Sequence, residues 1–507
     1  MRGGSGGFLR RSRPAQNMIL MEKITMPQLQ NLLNNIINRV NVNLREFTDV
    51  GPHIRHLVDR KRLAGFYAFY GLTQHHPLYF KFNKSCLSGT YLLGKCEVNR
   101  SIIYKSDIRG DELKRRGDVV PFGDMKIRLF QDEIIYIRDS YLIKTLVHNH
   151  SHDPENLEKF GIRNTVALHW SNIHGAPVEG CFLGPFATVD LTSAHNCVFG
   201  TYSYTQVGEL VNTFVKPGQV WIRTKDFEFN YQFDEEVLRR YVAYETGKAP
   251  SGILMDYVEE RKADFMPIYS SIQEHPVPVP PGASLSPYAV VKGQTRIDKN
   301  VLVAQRAYLE EAWLGHGSNA QENCYIVHSS LEGEDVTAHG GKVVHAHLGK
   351  HVFVGFNAFL HGTPETPLQV GSNTIIMPHT IIDAEEPLEI PSDTLVWGYI
   401  RNADDLKQHS IALVDLEKIT DGMEMGAMRF SGSGKVFADA FRGRIRHILE
   451  ENGAFFDEAN NAGHAQKNQE MAFNILQPYP SGDLAGLYPK LEIKPTELET
   501  IDEFSAP

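Results

Sequence analysis

Residues 348–360, LGKHVFVGFNAFL, place Leu348, Val354 and Leu360 six positions apart, and glycine follows the first two. The spacing continues downstream at Val370, Ile376, Ile382 and Leu388, and upstream at Val301, Ala307, Trp313, Asn319 and Tyr325. An earlier stretch keeps step at Leu183, Val189, His195, Thr201 and Val207, with two polar members. Such a period fits neither a helix of about 3.6 residues per turn nor simple strand alternation. It fits a coil with three flat faces, in which one residue per face points inward and stacks on its equivalent in the next coil. Glycine and asparagine suit the corners, where backbone angles are unusual. The pattern predicts a mainly β protein, a parallel β-helix of hexapeptide repeats in two blocks, rather than a β-sandwich.

Outward from the repeats, the chain divides into a leader at 1–20, a helical or mixed segment at 21–85 and a first β-helix block at 86–212. A helical insertion with a proline-rich linker follows at 213–285, then a second block at 286–400, helices at 401–475 and a loose tail at 476–507. Apolar residues at helical spacing in 22–48 and 232–263 predict helices, the latter broken by its Gly/Pro/Ser stretch. The stretch PVPVPPGASLSP at 276–287 reads as an extended linker. Residues 1–17, MRGGSGGFLRRSRPAQN, are Arg-rich and acid-free like an organelle transit peptide. With Met18 and Met21 available as starts, they read instead as upstream residues without fixed structure.

A chain of 507 residues has room for two or three folding units. Its 42% apolar and 22% charged content is ordinary for a soluble protein. A net charge of −10 gives no electrostatic footprint for nucleic acid or an anionic membrane, and no apolar run is long enough to span a bilayer. The five cysteines (Cys86, Cys96, Cys181, Cys197 and Cys324) are odd in number and scattered, with no C-x-x-C pair. That argues against a disulfide framework or thiolate zinc site and predicts a reducing compartment, the cytoplasm.

Chemistry is signalled by the 22 histidines, which are unevenly spread. One cluster, at 145–177, holds His148, His150, His152, His169 and His174; the other, at 322–349, holds His328, His339, His345 and His347. Neutral imidazole is the commonest protein ligand for zinc, and three with one open position make a catalytic site. Such a site acidifies a bound water to a pKa of about 7. His169 and His174, five apart, project from neighbouring faces, so a metal shared by both needs a further surface brought alongside.

Both regions resemble the gamma-class carbonic anhydrases, trimeric zinc enzymes built on a left-handed β-helix. The resemblance rests on SIIYKSDIRGDE at 101–112, VALHWSNIHG at 166–175, NAQENCYIVH at 319–328 and the AHGGKVVHAHLGKHVFVGFNAFLHG that follows at 338–362. It implies a left-handed coil, a homotrimer, zinc (iron or cobalt being able to replace it) and hydration of carbon dioxide. By the same resemblance Arg109 and Asp111 form a salt bridge beside the site, and Gln321 orients the hydroxide. His169 and His174 fall on two metal ligands, with His148, His150 or His152 as the third and His148 preferred. In the second region His328, His339 and His345 fall on the ligands. Two departures stand out: Ile137, Arg138 and Asp139 replace the family's glutamine and acid, and Tyr308, Leu309, Glu310 and Glu311 replace its Arg-Gly-Asp.

Two other classes compete with the lyase acting on a small molecule. Acyltransferases share this β-helix, with one histidine as general base and acyl-CoA between coils. A catalytically inactive trimeric scaffold is the third. The glycines at 315 and 317 read as coil corners, since no strand-to-helix transition follows.

Overall fold

The computed structural model describes residues 26–76, 78–122, 124–150, 160–269 and 277–494. The leader and His152 lie outside them, and so does the side chain of His150. The described chain forms two left-handed parallel β-helices of hexapeptide repeats, each walled by three sheets to which successive coils add one strand.

Pairing register sets the coil length. Val166 pairs with Phe182 and Phe182 with Val198, a coil of 16 residues. In the second block Leu302 pairs with Asn319, Asn319 with Val336 and Val336 with Phe353, a coil of 17. Neither reaches three full six-residue faces. Inward residues of the first block therefore run Leu183, Val189, Ala194, Phe199, and those of the second Leu314, Ala320, Ile326, Leu331. The expected series through Trp313, Asn319 and Tyr325 is one residue out of register. Trp313 is 36% exposed, and Tyr325 is buried outside its own coil against a separate core. His195 and Thr201 likewise fall outside the first coil's core, because five-residue faces intervene.

Each coil turns at left-handed corners that stack into columns. Gly89, Lys105, Lys144, Trp170, Phe186, Tyr202 and Gly218 all have positive φ, as do Arg306, Asn323, Gly340, Asn357 and His379. These two columns face each other, so the β-helices lie side by side with their coils in step. Arg306 Nη2 donates to Gly89 O at 2.8 Å, and Asn357 Nδ2 donates to Phe186 O at 3.3 Å. Tyr202 Oη donates to Asn357 O at 3.1 Å, and His379 Nε2 lies 3.0 Å from Thr188 Oγ1.

The remaining elements clad the coils. The helix Pro27–Leu44 buries Leu29, Leu33, Ile36, Ile37 and Val40 at helical spacing against outward residues Ile102, Tyr141, Val166 and Phe182. In the insertion, the helices Glu235–Tyr241 and Ile253–Glu260 are separated by a turn with Gly252 at φ 106°. The region read as C-terminal helices also contains strands: Ala472–Leu476 pairs antiparallel with Ala68–Leu72, covering an open sheet edge. The tail is ordered as far as it is described. Leu491–Ile493 pairs with Phe80–Asn83, and Leu487 and Tyr488 are buried. No helix among the described residues is long and apolar enough to cross a membrane.

The seam makes stability depend on pH. Burial lowers the pKa of His379 to about 3, partly opposed by its contact with Tyr202 O. The unfolded chain takes up this proton near pH 6.5 and the folded chain only near 3, so stability falls as the pH drops through that window. The free energy of unfolding is expected to decline from neutral pH toward pH 4, by about a few kcal/mol overall. A His379→Gln variant should decline less steeply.

Candidate functional site

Coil stacking assembles one column of polar residues on the seam. The parallel strands Asp107–Glu112, Leu146–His150, Asn172–His174 and Thr188–Asp190 pair in that order. Their register sets Arg109 beside His148, His148 beside His174, and His174 beside Asp190. Adjacent strands lie about 4.8 Å apart, so residues distant in sequence become neighbours. From the second block, the corner after Asn319–Ala320 supplies Gln321 and Glu322, and the corner one coil later supplies His339. All these side chains are buried.

His148, His174 and His339 converge: one ring nitrogen of each lies within 4.8 Å of the others. His174 Nδ1 is hydrogen-bonded to Asp190 Oδ1 at 2.9 Å, and His339 Nδ1 lies 2.9 Å from Glu322 Oε2. His148 Nε2 is 3.3 Å from Glu112 Oε1. Arg109 donates to Asp111 on its own strand and to Glu322 across the seam. The helix Gly434–Asn452 covers the site, with Arg444 Nη1 2.7 Å from Asp190 Oδ2. Together they line a cavity that Gln321, Phe356 and His447 also border.

Burial lowers the pKa of His174 to about 4 despite the opposing pull of Asp190, and burial also lowers that of His339. Burial works to raise Glu322, but Arg109 and His339 hold it at about 2. Asp190 likewise stays well below the usual carboxylate range against its burial, through Arg444 and His174. At neutral pH His174 and His339 are therefore uncharged and the acids ionised. Neutral imidazoles with a carboxylate on the other ring nitrogen are a donor set that zinc takes, and iron and cobalt accept it too. The residues present fit such an ion.

Of the expected ligands, the structure brings together His148, His174 and His339, with Arg109, Asp111 and Gln321 beside them. His169 is buried at the preceding corner, outside the cluster, its pKa lowered to about 3 by burial and by Lys144. His328 and His345 are also elsewhere. They occupy positive-φ corners 17 residues apart, one coil length, and their rings stack at 4.8 Å. Two triplets are thus replaced by one mixed triplet, completed inside a single chain. Sharing between subunits is not needed to build it. Sequence reasoning missed Asp190, Glu322 and Arg444. Asp190 lies one 16-residue coil after His174 and Glu322 directly follows Gln321; Arg444 carries no repeat signal at all.

The family model for the hexapeptide repeat including loop matches residues 125–246. A crystal structure from Desulfovibrio desulfuricans G20, provisionally described as an acetyltransferase, is 53% identical with a TM-score of 0.87. The match covers 93% of this chain and 100% of that one. The bifunctional protein GlmU of Anaplasma marginale (strain Florida) is 28% identical over 115 residues, 21% of this chain and 26% of GlmU. The same protein from strain St. Maries matches equally. The chain spans about a quarter of the length of these curated relatives.

Fold and site together define a tandem hexapeptide-repeat β-helix protein with its polar centre on the seam. Within that class, the chain belongs to the family of the Desulfovibrio protein. Hydration of carbon dioxide, implied by the resemblance to gamma-class carbonic anhydrases, is overturned by this kinship with a protein described as an acetyltransferase.

Proposed function

We propose that the chain is a metal-dependent acyltransferase, moving an acyl group from an acyl thioester such as acyl-CoA to a hydroxyl or amine of a small molecule. The observation that supports it best is the buried imidazole triplet lining a cavity, in a chain 53% identical to a protein described as an acetyltransferase. In this reading His148, His174 and His339 hold the ion, zinc by default with iron or cobalt as substitutes. When bound, the ion supplies Lewis acidity toward a carbonyl or acceptor oxygen.

The chain's own groups do the rest. Asp190 fixes the ring orientation of His174, Glu322 lies 2.9 Å from the ring of His339, and Arg109 and Arg444 hold those two acids. The covering helix lines one wall of the cavity with Arg444, His447 and Asn452. His447, half-buried on its wall, is the imidazole left over as general base. It takes the acceptor's proton as that oxygen or nitrogen bonds to the thioester carbonyl carbon; the C–S bond then breaks and the thiolate leaves, to be protonated.

The test is thiol release from acetyl-CoA with a panel of hydroxyl and amine acceptors. Wild-type protein should release thiol, and His447→Ala should slow it by about a hundredfold or more with metal content retained. No release with any acceptor, or full activity in His447→Ala, sinks the assignment. Five free, buried cysteines support a reducing compartment, the cytoplasm. A homotrimer is a separate proposal. It would use surfaces away from the seam, and light scattering giving a monomer mass would refute it.

A further inference from the structure

The corner column that builds the seam also stacks Lys105 on Lys144 on Trp170, one coil apart, facing Arg306 of the second block. Lys262, from the short helical turn Lys262–Phe265 of the insertion, closes over them. The result is a cleft sharing no lining residue with the histidine cavity. Four cations converge there. Among the described residues Glu259 lies 3.7 Å from Lys144 and 2.5 Å from Lys262, and Asp107 lies 3.2 Å from Arg306. The indole N–H of Trp170 is buried in the same place and meets no acceptor among the described residues.

Like charges stacked one coil apart at these corners repel, and burial leaves that repulsion poorly screened. Burial lowers Lys105 to about 8, helped by Arg306, Lys144 and Lys262. Burial also lowers Lys144 to about 8, with Lys262 and Arg306 adding to it against Glu259. The fold thus holds at a cost an arrangement that an added anion would relieve. We propose that this cleft is a binding site for a phosphate-bearing small molecule, whose oxygens take the ammonium groups of Lys144 and Lys262 and the indole N–H of Trp170. Oxygen-rich anions suit such a set, because charge-assisted hydrogen bonds are the strong ones. The proposal does not depend on acyl transfer.

Inorganic pyrophosphate is the probe, titrated calorimetrically into the full chain at low ionic strength. One site per chain is expected, with affinity falling about tenfold or more in the Lys144→Gln/Lys262→Gln double variant. Without ligand that double variant loses the repulsion together with both ion pairs to Glu259, so its stability should change little. A merely structural role for the two lysines would make it less stable. Lys144→Arg should keep binding, and His339→Ala should bind pyrophosphate as wild type does. No binding to wild type, unchanged affinity in the double variant, a destabilised double variant, or loss of binding in His339→Ala would each overturn the proposal.

Discussion

Replacing Arg109 by methionine is expected to destabilise the protein by about 3–5 kcal/mol, the range for breaking a buried ion pair by removing one partner. The guanidinium is buried between Asp111 and Glu322, whose side chains are fully buried too. Removing it leaves Asp111 with His464 and Glu322 with the neutral His339 as their remaining partners, one weakened carboxylate on each β-helix. Asp111 is held well below the usual carboxylate range against its burial, chiefly by Arg109, and Glu322 depends on the same group. The triple variant Arg109→Met/Asp111→Asn/Glu322→Gln should recover much of the loss, since it removes the stranded charges. Urea denaturation of the three proteins checks this. By contrast, Lys418→Ala, which removes an exposed partner of Asp415, should change stability little. A small effect in Arg109→Met would mean that the two β-helices are not joined through this group.

The sequence pattern reveals the fold where the physics is local. Leu348, Val354 and Leu360 are all inward residues, because two six-residue faces follow one another there. The reading slips wherever a five-residue face intervenes, which displaced the series through Trp313 and put His195 outside the core. The site is less legible. His148, His174 and His339 meet only because one corner column of each β-helix is turned toward the other, and nothing in a six-residue period encodes that facing. His328 and His345 imitate a ligand pair for a different reason: stacked corners bring any two residues one coil apart into contact. Arg444 and His447 come from a helix far along the chain that docks on the seam, a tertiary contact without a repeat to announce it. The tail reads as loose because it is polar, yet Leu491–Ile493 pairs with Phe80–Asn83.

The proposed metal site draws on both β-helices of one chain. His174 and His339 are already neutral and oriented by carboxylates, so little reorganisation is needed to bind an ion, and removing either should abolish tight binding rather than weaken it slightly. His328 and His345, equally plausible from sequence, sit on an outer corner and should be dispensable. Elemental analysis of the purified full chain and four single variants is the direct measurement. About one zinc, iron or cobalt ion per chain is expected in wild type, near zero in His174→Ala and His339→Ala, and wild-type content in His328→Ala and His345→Ala. Metal-free wild type, or full metal content in His339→Ala, would contradict the proposed site.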